Sequence, residues 1–212
     1  MQLKSKFFIL IYLLIFVSCQ NNNEEEYKVI ATIYNSIPKE LLPPPKPTGK
    51  NEVLDSIVNK IDYDNLNPLI FNYAINENFI NFEIDNISKK FKSYNSKELF
   101  KTININEDEF VLIESLKTQN YSKKLDKKKV TKLCEDDIVF SSKQFLKKNS
   151  KEKDSLDGII SFSRVSFNKG YEKAAVCVGV YRSGLDSNLK LYILEKNNGK
   201  WEIKSYKLLS IS

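Results

Sequence analysis

The sequence predicts an α+β fold, with N-terminal helices packed on a curved antiparallel sheet that ends in a four-strand C-terminal meander. Three observations carry this reading. Tyr27, Ile30, Ile33, Tyr34 and Ile37 recur at helical spacing, as an amphipathic helix requires. In the last 55 residues, Gly158, Gly170, Gly184 and Gly199 stand 12, 14 and 15 positions apart and bracket runs rich in β-branched and aromatic residues. Such spacing argues an antiparallel meander. Finally, 42% of the 212 residues are hydrophobic, enough for the core of one ordinary domain and incompatible with wholesale disorder.

The first eighteen residues read as an address. Lys4 and Lys6 form a positive n-region, and Phe7–Val17 is an unbroken apolar run of eleven. That length suits a signal-peptide core and is short for a bilayer span. No apolar run of 18 residues follows it, which excludes a polytopic chain. Phe16-Val17-Ser18-Cys19 closes the run and resembles the lipobox of bacterial lipoproteins. The resemblance implies cleavage before Cys19, acylation of its thiol with palmitate-class chains, and an outer-membrane lipoprotein of the cell envelope. Two or more acyl chains give stable anchoring where one does not. Losing Lys4 and Lys6 with the signal leaves 31 basic against 27 acidic residues, a net +4 in place of +6. Export and this modest charge disfavour nucleic acid as a partner.

Residues 19–26 read as a flexible polar tether, and 27–212 as a single domain. Acidic residues soon after Cys19 are also similar to the export signal of surface-exposed lipoproteins of the Bacteroidota, so the periplasmic face and the cell surface are both open. A helix is expected over 25–36. Five of the six prolines then fall between Pro38 and Pro47, giving a Pro-rich strap over 38–49 in which Pro43-Pro44-Pro45 cannot join a helix or a sheet interior. It reads as a stiff spacer, or as a docking motif for an aromatic groove. Val53, Leu54, Ile57, Val58 and Ile61 predict a second helix. Two strands are expected at 69–75 and 79–84, around Asn76-Glu77-Asn78.

Asn95-x-x-Glu98 and Asn106-x-x-Glu109 carry the pattern of capped helix starts. For 110–116 a short strand is the alternative. Ile138-Val139-Phe140 reads as a strand, followed by a short helix around 143–148. The meander runs are Ile159–Phe167, Ala174–Tyr181, Leu189–Lys196 and Lys200–Tyr206. Asn197-Asn198-Gly199 supplies a tight hairpin turn, and the alternation through Trp201 and Ile203 puts Trp201 on the core face.

SFSRVSFNKGYEKAAVCVGVYRSG, followed by YILEKNNGKWEIKSYKLLSIS, resembles the C-terminal half of uncharacterised envelope lipoproteins of the Bacteroidota. The resemblance implies a shared fold and address and brings no activity with it. Cystatin-like and nuclear-transport-factor-like cones are the fold analogies for helices on such a sheet, and analogy of fold confers no function.

Chemistry-bearing constellations are few. The chain has no histidine, which removes Ser-His-Asp and Cys-His catalysis and imidazole-ligated zinc. No cofactor and no metal is expected. Glu135-Asp136-Asp137 and Asn106-Glu107-Asp108-Glu109 lack the spacing of a calcium loop and read as solvated turns or helix starts. Cys134 and Cys177 either form a disulfide, which an oxidising compartment permits, or stay free. Arg164 and Arg182 are the only arginines beside 31 lysines. They are candidates for a structural pairing with an acid, or for binding an anionic ligand through the planar guanidinium. Lys123, Lys124, Lys127, Lys128, Lys129 and Lys132 form a basic run, either a solvated face or a membrane-surface patch, where each lysine is worth about 1 kcal/mol.

The function expected is that of a membrane-anchored, non-catalytic binding module, its partner an envelope protein or ligand. The alternative is a hydrolase acting on envelope glycans through Asp and Glu residues. A concave site with two facing carboxylates favours the enzyme, and an exposed apolar patch favours binding.

Overall fold

The computed structural model describes residues 24–42, 67–81, 105–119, 122–135, 140–146, 156–183 and 186–211. The signal segment with Cys19, the proline run 43–49, the stripe at 53–61, the Asn95 helix start, Asp136-Asp137 and Gly184 lie outside these residues.

The fold is α+β. Helix α1 spans residues 24–36, and a two-residue ribbon follows, β1 (Glu40–Leu41) against β2 (Leu69–Ile70). Then come β3 (Tyr73–Ile75), α2 (Glu107–Leu116), α3 (Lys127–Thr131), β4 (Phe140–Ser141) and α4 (Ser142–Leu146). The C-terminal strands are β5 (Gly158–Phe162), β6 (Ser166–Phe167), β7 (Lys173–Ser183), β8 (Asp186–Asn197) and β9 (Lys200–Ile211). The main sheet runs β4-β3-β5-β7-β8-β9, with β6 also on β7. The expected meander is present, antiparallel from β5 through β9. Its hairpin turn holds Asn198 at φ 49° and Gly199 at φ 78°, the left-handed pair that matches strand twist.

β7 lies inside the sheet and is buried on both faces, which its unbroken apolar run foreshadows. Ala174, Val176, Val178 and Val180 join the cluster under α1, with Ile30, Ile33, Leu194 and Trp201. Ala175 and Cys177 point the other way, to Leu191, Ile193 and the α2 residues Leu112, Ile113 and Leu116. The helices therefore cover both faces of the sheet. Each of those α2 side chains contributes about 1.5–3 kcal/mol by leaving water.

α2 is a helix and not the alternative strand, because Asn106 closes a full capping box with Glu109. Two expectations are corrected. The helix expected over 25–36 is present and begins at 24, so residues 24–26 belong to it and not to the tether, since acidic residues stabilise a helix N-terminus and these find specific partners. Of the two strands expected around Asn76–Asn78, the first is present as β2 and β3, while residues 79–81 are not in a strand and 82–84 lie outside the described residues. β3 pairs in parallel with β4 and β5. Asn76 Oδ1 accepts from the Asn78 N–H at 3.0 Å, and Asn76 and Ile80 then donate to the carbonyls of Ile160 and Phe162. The Asn turn jogs the chain along β5 without reversing it.

Three irregularities re-aim side chains. Ser163, Arg164 and Val165 stand opposite only two residues of β7, because Phe162 pairs with Val178 and Ser166 with Ala175. On β9, Lys204 and Leu209 are the extra residues at the two register shifts against β8. Bulges bend a strand and turn a side chain out of its alternation. Lys204 thereby reaches Glu109 on α2 at 2.9 Å and Glu195 at 2.7 Å.

Candidate functional site

The first turn of α1 is where the chain enters the fold, and three consecutive residues there grip three different elements. Glu25 Oε2 accepts from Lys196 Nζ at 2.6 Å and from Trp201 Nε1 at 2.7 Å, while Lys28 Nζ reaches Oε1 at 2.8 Å. Burial works to raise the Glu25 pKa, but the hydrogen bonds from Lys196, Lys28 and Trp201 outweigh it and lower it to about 2. Glu26, 2% exposed, accepts from Arg164 Nε at 2.6 Å and from the Val165 N–H at 3.3 Å, with Lys123 Nζ at 3.7 Å. Tyr27 Oη accepts from the Asp126 N–H at 3.1 Å, and Lys129 Nζ sits 5.2 Å from the centre of its ring.

Among the described residues Arg164 and Arg182 pair with different acids. Arg164 is committed to Glu26. Arg182 Nε donates to Tyr73 Oη at 2.7 Å, its Nη1 to both Asp186 oxygens at 3.2 Å, and its guanidinium lies 4.8 Å from the Phe71 ring centre. Each arginine thus has the acidic partner of the structural reading. They do not converge on one anion site.

The lysine run divides. Lys127, Lys128 and Lys129 lie on α3, and Lys124 bridges to Asn78. Lys129 and Lys132 line a cavity of about 270 Å³ with Tyr27, Lys28, Leu133 and Glu24. A neighbouring cavity of about 480 Å³ shares Lys28 and Leu133 and extends past Ala31 to Lys200 and Trp201. Together they form a groove along α1.

Cys134 and Cys177 are not bonded to each other in this structure. Cys134 packs against the cluster beneath α1, whereas Cys177 sits in the cluster on the opposite sheet face. Burial pushes the Cys177 thiol far up. Of the acidic clusters, Glu109 is buried in the α2 cap and bound to Lys204. Among the described residues no three acidic or cysteine side chains gather where they could hold a metal, and no helix is long and apolar enough to cross a membrane.

At the other end of the sheet, β9 exposes Tyr206 (59%), Leu208 (40%) and Ile211 (72%). Tyr206 pairs in register with Tyr192, and Lys190 Nζ lies 4.9 Å from its ring centre. Reading the sequence missed these residues and the Glu25-Glu26-Tyr27 grip. An acidic triplet directly before a helical stripe is the signal that could have found the grip. Nothing local marks the exposed end of β9, because its apolar residues look like those of any strand.

Comparison with protein-family models, with curated proteins and with solved structures returned no match.

Proposed function

We propose that this chain is an envelope lipoprotein anchored through acylated Cys19, and that it works as a non-catalytic binding module whose partner docks on the far end of β8 and β9. The observation that carries the reading is the exposed apolar group Tyr206, Leu208 and Ile211. Exposed apolar surface on a domain with a well-filled core favours contact with another molecule. Geometry supports it. The turn between β8 and β9 is held at the first turn of α1 through Lys196 and Trp201, next to the segment that leads from Cys19. Tyr192, Lys190 and Asn188, the partners of Tyr206, Leu208 and Ile211, lie five, seven and nine residues from Asn197 along β8, about 16–30 Å at strand rise, so the apolar end stands away from the anchor. The partner class is an envelope protein with a complementary apolar surface.

The test is in-cell crosslinking of the epitope-tagged full-length protein, with recovered partners identified by mass spectrometry. One stoichiometric partner, lost in Tyr206→Asp/Leu208→Asp while the protein stays folded and membrane-bound, is the expected result. Absence of any partner, or a partner retained by that variant, would overturn the reading.

A further inference from the structure

The groove along α1 joins apolar and cationic surface. Lys28, Lys129, Lys132 and Lys200 line its two cavities, and Glu24 is the one carboxylate among the described lining residues. Leu133, common to both cavities, is 43% exposed. A large apolar side chain ringed by lysines is the pattern of a surface that sits in a headgroup layer, the apolar group reaching toward the acyl boundary and the amines meeting lipid phosphates. Its place matters as much as its composition. Glu24 begins α1 and lines the groove. Five residue steps from Cys19 to Glu24 span at most about 18 Å.

We infer that this lysine-rimmed groove docks on the anionic surface of the bilayer that holds the acyl anchor. The inference rests on the anchored reading above and deepens it. An acyl anchor on a short polar segment fixes distance but leaves the domain free to turn. Lys28 Nζ is already paired with Glu25 at 2.8 Å, while Lys129, Lys132 and Lys200, with Leu133, select one orientation. α1 cannot tilt away from the sheet to escape it, because Glu25, Glu26 and Tyr27 tie its first turn to β8–β9, the Arg164 bulge and α3. Charge complementarity and the short reach from Cys19 both point to lipid as the occupant.

The full-length protein, taken from membranes in detergent, is reconstituted into phosphatidylcholine vesicles and into vesicles that also hold phosphatidylglycerol. Flotation reports anchoring, and amine acetylation followed by mass spectrometry reports which lysines the bilayer covers. Each lysine at an anionic surface is worth about fivefold in partitioning. The expected result is flotation with both vesicles. Acetylation of Lys28, Lys129, Lys132 and Lys200 is then about tenfold slower on the anionic vesicles alone, and high salt removes the difference. Lys190 and Lys207, at the far end, react alike throughout. In Lys129→Gln/Lys132→Gln/Lys200→Gln, Lys28 loses its protection. Equal acetylation of the groove lysines on both vesicles, with flotation intact, would overturn the docking and leave the anchor standing. Flotation with anionic vesicles only, with those lysines protected, would remove the anchor and keep the docking. Flotation with neither removes both.

Discussion

Glu26 and Arg164, 138 positions apart in the chain, meet at 2.6 Å between carboxylate Oε1 and guanidinium Nε. The contact exists because two local events coincide: the helix starts early enough to include Glu26, and a bulge turns Arg164 toward it. The carboxylate is 3% exposed and the guanidinium 18%. A buried pair of this kind costs most when only one member is removed, because the other charge stays desolvated.

Arg164→Met is therefore expected to destabilise the fold by about 3 kcal/mol. Glu26→Gln/Arg164→Met should recover a substantial part of that loss. Urea unfolding of the three proteins measures it.

Acid should weaken the grip at Glu25. Its folded pKa lies at about 2 against an ordinary 4.5, so the stabilisation is complete above the ordinary value and disappears as pH falls toward the folded one. The loss is on the order of 3 kcal/mol. Glu25→Gln should be less stable than the parent at pH 7 and should lose less on acidification. Parallel slopes between pH 5 and pH 2 would contradict this.

Two glycines are expected to resist replacement for different reasons. A Cβ on Gly199 meets nothing within 4 Å, but φ of 78° lies in the left-handed region, and Gly199→Ala should cost about 1–2 kcal/mol. At Gly158 a Cβ would stand 2.6 Å from the Tyr181 carbonyl oxygen. Gly158→Ala must push β5 from β7 and should cost more than the turn variant. Thermal midpoints of the two variants give the order.

The thiols should separate cleanly under alkylation. Cys177 is 1% exposed and burial raises its pKa, so the reactive thiolate is scarce. Cys134 is half-buried. Maleimide is expected to modify Cys134 in the folded protein and Cys177 only after denaturation. Modification of Cys177 in the folded protein as fast as Cys134 would contradict this.

What could be read from residues alone was local. Helix α2 follows from Asn106 and Glu109, the β8–β9 hairpin from Asn198 and Gly199, and the burial of Trp201 from the period-two alternation around it. Each depends on neighbours within a few positions. The parallel pairing of β3 with β5 joins residues 85 apart, as where the Asn72 N–H meets Asp157, and no short-range pattern encodes it. The same holds for the sheet face that α2 covers, since an apolar stripe names a buried side but not its partner. At the candidate site, the lysine run and the two arginines were visible as composition. Their partners were not, because Arg164 reaches Glu26 only through a bulge and Lys129 reaches Tyr27 only through the packing of α3 on α1.

The most direct test of the account is metabolic labelling of cells with a fatty-acid analogue, followed by fractionation of the tagged protein and of Cys19→Ala. The account predicts a labelled parent in the membrane fraction, an intact mass matching a chain that starts at acylated Cys19, and a variant without label. An unlabelled parent, or a variant that still takes the label, would contradict it.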